Sequence, residues 1–144
     1  MMKHTIVGMA SAVALAFSLG ASAQGISKDE FKTEKNRIEA DAKSARGACD
    51  KLSENTKDIC QAQAKAKEKV AKAELEARQK NTDKARYDVL VAKADAQYSV
   101  AKERCDDKSG KEKDACVKEA KAAQASAKTD AKAQRADTKA PKRS

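Results

Sequence analysis

The residues whose types and spacing could do chemistry are four cysteines, and they come as two copies of one motif. Cys49 and Cys60 enclose CDKLSENTKDIC, and Cys105 and Cys116 enclose CDDKSGKEKDAC, 56 residues further on. Cysteines have three common uses: structural disulfides, thiol exchange and zinc ligation. Exchange centres separate their thiols by only two residues, whereas ten intervene in each motif here. Zinc sites draw on closely spaced Cys and His, and the single histidine, His4, lies far away at the N-terminus. Disulfides are therefore the expected use, provided the chain meets an oxidising compartment.

The N-terminus implies that it does. MMKHTIVGMASAVALAFSLGASAQ begins with Lys3 and His4, runs apolar from Thr5 to Leu19 and closes on Ala21-Ser22-Ala23. This is the pattern of a secretory signal peptide, with cleavage expected between Ala23 and Gln24. The apolar run is shorter than the roughly 20 residues of a membrane-spanning helix, so removal is expected rather than anchoring. No later segment is apolar enough to span. Lys3 leaves with the leader and no acid does, so 31 cations become 30 against 22 acids, and the net charge falls from +9 to +8.

Other chemistry is not legible. With His4 removed, the usual general base is missing, and no serine elbow, phosphate-cradling glycine loop or metal-ligand run occurs. Asp106-Asp107 reads as a solvated helix end, and Tyr87 and Tyr98 read as packing residues. The expectation is a non-enzymatic protein with no catalytic residues, no cofactor and no metal.

The elements that must position the cysteines are helical. Between Ser27 and Ala140 there is no proline, and the only glycines are Gly47 and Gly110. Ala, Lys, Glu, Gln and Arg dominate, all strong helix formers. Ser27 with Glu30 forms a capping-box pattern. Tyr87, Val91, Ala94, Tyr98, Ala101 and Cys105 mark a narrow coiled-coil-like seam. Ile59, Ala66, Val70, Ala73 and Ala77 mark another, interrupted by Gln63. Phe31, Ile38, Ala45 and Leu52 recur every seventh residue. The shift of 56 also carries Phe31 onto Tyr87, Asp50 onto Asp106 and Ser53 onto Ser109, so the chain reads as an internal repeat.

Two foldings of the motif are open. In one continuous helix, two cysteines eleven residues apart would stand about 16 Å apart along the axis. A disulfide needs Cα atoms within roughly 7 Å, so each cysteine would have to bond to the other motif. If the chain instead turns, with Ser53 and Ser109 as caps and Asn55 and Gly110 as turn residues, the cysteines face each other across a helical hairpin. The turn is favoured, pairing Cys49 with Cys60 and Cys105 with Cys116. Flanking Ala45, Ala48, Ala62 and Ala64 would permit the close approach.

The expected organisation is a signal peptide at 1–23 and an all-α domain at 24–136, built from helix-turn-helix repeats at about 27–80 and 83–136. A disordered basic tail would follow at 137–144. Asn81-Thr82-Asp83 is either a third turn, giving an up-down four-helix arrangement, or is read through as one long central helix with a hairpin arm at each end. No glycine or proline forces a break there, which favours the long central helix.

The run ARYDVLVAKADAQYSVAKERCDD, followed by KEKDACVKEAKAA, resembles a group of small exported proteins of Gram-negative bacteria, labelled TolA-like or cell envelope biogenesis proteins. The resemblance implies a periplasmic location and paired helices; it carries no activity. The basic charge adds salt-sensitive attraction to an anionic envelope surface or acidic envelope protein. Nucleic acid is a poorer partner, because export separates the chain from the chromosome and interleaved aromatics for base stacking are absent. Alanine seams of this kind can pair within one chain or between chains. Two functions follow as expectations: a structural or interaction module of the envelope, or a stress chaperone binding misfolded or anionic partners.

Overall fold

The computed structural model describes residues 25–139. They form α1 (Lys28–Cys49), α2 (Glu54–Lys80), α3 (Asp83–Cys105) and α4 (Gly110–Lys139), with no strand among the described residues. The expected leader and the cleavage point at Ala23 and Gln24 lie outside them.

The helices run up and down in sequence. Each packs on its neighbours in the chain, and no close backbone approach joins α1 to α3 or α4, or α2 to α4. The architecture is a series of antiparallel hairpins in an open layer. The inner helices therefore need two packing sides, and alanine supplies them. In α3, Ala85, Ala92 and Ala96 are buried along one side, while Ala94 and Cys105 are buried on another. At about 100° per residue, Ala94 stands roughly opposite Ala85. Ala85 and Ala92 line one crevice with Ala73 of α2, whereas Tyr87 and Leu90 line another with Ala131 of α4.

The long central helix is a correction. α2 ends at Lys80, and its C-cap Asn81 is left-handed at φ 45°, ψ 44°. Asn tolerates that region better than most residues with a side chain, and the chain needs no glycine to turn. Thr82 then caps α3, its hydroxyl accepting from Ala85 N at 3.1 Å. The consequence is large, because a break at Asn81 brings both cysteine turns to one end of the layer. Asn55 Nδ2, beside the first turn, donates to Asp107 Oδ1 in the second at 2.6 Å.

Further departures are smaller. α1 stops at Cys49, so Leu52, the last member of the every-seventh-residue series, lies outside the helix. Its buried line is Ile38, Ala42 and Cys49, while Ala45 and Ala48 are exposed and Leu52 is 40% exposed. The heptad spacing drifts off the packed side because a straight helix turns 3.6 residues per turn, not 3.5. At Ser53 the side chain makes no capping bond. α4 continues through Asp137 to Lys139, so the tail expected from Asp137 starts no earlier than residue 140, and the rest of that expectation lies outside the described residues.

Candidate functional site

The cysteines pair locally. Cys49 bonds Cys60 with Cα atoms 5.6 Å apart, and Cys105 bonds Cys116 at 5.7 Å. Cys49 and Cys105 are 1% exposed, and no described cysteine is free. The two knuckles repeat each other in detail. Asp50 pairs with Lys57 at 3.1 Å, and its counterpart Asp106 pairs with Lys113 at 2.8 Å. Asp50 N donates to Gly47 O, and Asp106 N to Glu103 O. Both helices that follow begin on a positive φ, 49° at Glu54 and 53° at Gly110. A close turn set by backbone, with a sulfur bridge behind it, is what the sequence motif encodes. The Lys113 ammonium holds Asp106 below the ordinary carboxylate range.

One face of the layer is laced with charge. Asp95 on α3 accepts from Lys69 of α2 at 3.3 Å, and from Gln124 and Lys128 of α4 at 2.7 and 2.6 Å. Partial burial pushes this carboxyl up, but the bonds from Lys128, Gln124 and Lys69 outweigh it, and its pKa is lowered. A second network joins α1 to α2: Lys72 reaches Glu68 at 2.7 Å and Glu39 at 3.2 Å, and Arg46 also pairs with Glu68. Lys72 and Arg46 lower the pKa of Glu68. Within α2, the i,i+4 pairs Glu68–Lys72 and Glu76–Lys80 are both formed at 2.7 Å. Sequence periodicity could not show that Asp95 bridges three helices, because that depends on the turn at Asn81.

The opposite edge of the α2–α3 junction differs. There an open groove of about 740 Å³ has a floor of Ala66, Val70, Val100 and Ala101. Lys93 and Glu74 pair across one end at 2.8 Å. Lys67 and Arg104 stand along the rim, with no acidic partner among the described residues. Gln63, the residue that interrupts the α2 seam in sequence, lines this groove.

Tyr87 sits beneath the Arg135 guanidinium, 5.2 Å from ring centroid to Cζ. It is half-buried between α3 and α4. Asp106 and Asp107 are tied into the knuckles by Lys113 and Asn55. Among the described residues no group of His, Cys, Asp and Glu could hold a metal ion, and no helix is long and apolar enough to cross a membrane. Against these observations, comparison with known proteins adds nothing: no family model, curated protein or solved structure matches the chain.

Proposed function

We propose that this protein is a non-enzymatic, exported helical scaffold that acts as a structural or interaction module of the cell envelope. The observation that carries this reading is the open layer. Helices packed through alanine are braced by disulfides at one end and leave both broad surfaces uncovered. A chain with so few large apolar residues buries little area, and crosslinks offset that weakness. Disulfides fit an oxidising compartment, and the signal-like N-terminus and the resemblance to small TolA-like envelope proteins point to the periplasm.

The experiment is fractionation of a Gram-negative cell expressing the full chain, with thiols trapped before lysis. Export predicts release by osmotic shock, loss of residues 1–23 and no reactive thiol. Envelope association predicts recovery with membranes at low ionic strength and release by salt. A chain retained in the cytoplasm with four reactive thiols overturns the reading. A second reading, a stress chaperone, draws on the apolar groove. It requires suppression of aggregation of a denatured client that weakens as salt rises.

A further inference from the structure

The two edges of the α2–α3 junction are unequal. On one, charges close the seam between helices, with Asp95 at the centre. On the other, Val70 and Val100 remain half-buried in an open groove, and among the described residues no ion pair spans it except Lys93–Glu74 at one end. We propose that this groove is the docking site for an amphipathic helix of a partner protein, carrying acidic residues beside its apolar stripe. The proposal rests on the reading of the chain as an interaction module and names the class of partner.

Shape, charge and self-repulsion select this occupant. Two antiparallel helices with small residues between them form a trough into which the ridge of a third helix fits. A small ligand would need enclosure over most of its surface, and the groove is open. From Gln63 to Glu74 the trough runs eleven residues, about 16 Å at helical rise, enough for about three turns of a partner. Lys67 and Arg104 are exposed and unneutralised by acids among the described residues. Acidic side chains flanking the docked stripe would complete those pairs and fix its direction. A second copy is disfavoured, because each exported chain would carry 30 − 22 = +8 and set cation against cation.

The test uses the oxidised exported chain and two synthetic 18-residue helices sharing one leucine–alanine stripe, one flanked by glutamates and the other by lysines. Calorimetry should show saturable binding of the glutamate peptide and at least tenfold weaker binding of the lysine peptide. The double variant Lys67→Glu/Arg104→Glu should weaken the glutamate peptide by about tenfold. Lys65→Glu, on the opposite edge, should leave it unchanged. Val100→Asp tests the floor and should abolish binding while the helical circular dichroism persists. Equal affinity for both peptides, no saturable binding of the glutamate peptide, or equal loss with Lys65→Glu would overturn the site. So would displacement of the peptide by phosphatidylglycerol vesicles, which would make the occupant a membrane, or a groove-dependent dimer in sedimentation. Failure here with an exported, envelope-associated chain removes the partner and leaves the scaffold standing; cytoplasmic retention removes the scaffold itself.

Discussion

Glu54 and Gly110 occupy the same place in the two repeats, yet only one is suited to it. Both sit at positive φ, 49° and 53°, a region that costs a residue with a side chain about 1–2 kcal/mol and glycine little. Glu54→Gly should therefore raise stability by up to about 1 kcal/mol, and Gly110→Ala should lower it by about 1 kcal/mol; urea melts of the oxidised protein read both. The cysteines are the larger effect. Replacing Cys49 and Cys60 together with serine should cost about 3 kcal/mol, through the freedom restored to the unfolded chain. A change below about 1 kcal/mol would mean that the turn holds without its bridge. At this scale the sequence was informative, because a spacing of ten residues, cap-like serines and the export expected from the N-terminus allowed few arrangements. The strained position of Glu54 was not legible, since it becomes visible only when aligned on Gly110 in three dimensions.

For the helices, the decisive residue is Asn81. Composition alone favours continuing α2 into α3, because neither glycine nor proline intervenes. Tertiary packing decides otherwise. Turning back lets Ala85 and Ala92 bury against α2 and lets Asp95 reach Lys69, gains a straight helix would forgo. Asn81→Ala, which loses the tolerance for a left-handed backbone, should lower stability by about 1 kcal/mol without changing helix content, as read by circular dichroism during thermal melting. A rise in helix content would show the turn reading through. The seam through Tyr87, Ala94 and Cys105 could be read from spacing, whereas the second seam through Ala85, Ala92 and Ala96 could not be told from a composition already full of alanine. The groove was hinted at only by Gln63, a polar residue on an apolar line.

Across the whole molecule, stability rests on thin alanine seams, two bridges and surface ion pairs. Glu34, Glu68, Asp95 and Asp106 all have lowered pKa values in the fold, each through hydrogen-bonded cations. A carboxylate lowered in this way binds fewer protons folded than unfolded. Its contribution is complete above the ordinary carboxylate range and is lost as pH falls through the folded value. Lys72, Lys80 and Lys113 are raised by hydrogen bonds to Glu68, Glu76 and Asp106 respectively, so their contribution is complete at neutral pH and fades only in strong alkali. The melting temperature should be nearly flat from about pH 6 to 9 and fall below about pH 4. A maximum in acid would contradict this pattern of pairs. The central claim, however, is the arrangement itself: an open layer with both disulfide knuckles at one end. Pulsed electron resonance between non-cysteine spin labels at Lys51 and Lys108 tests it most directly. The account predicts a separation within about 30 Å, set by neighbouring hairpins and the labels' own reach; a distance near 75 Å, the length of α2 and α3 joined end to end, would contradict it.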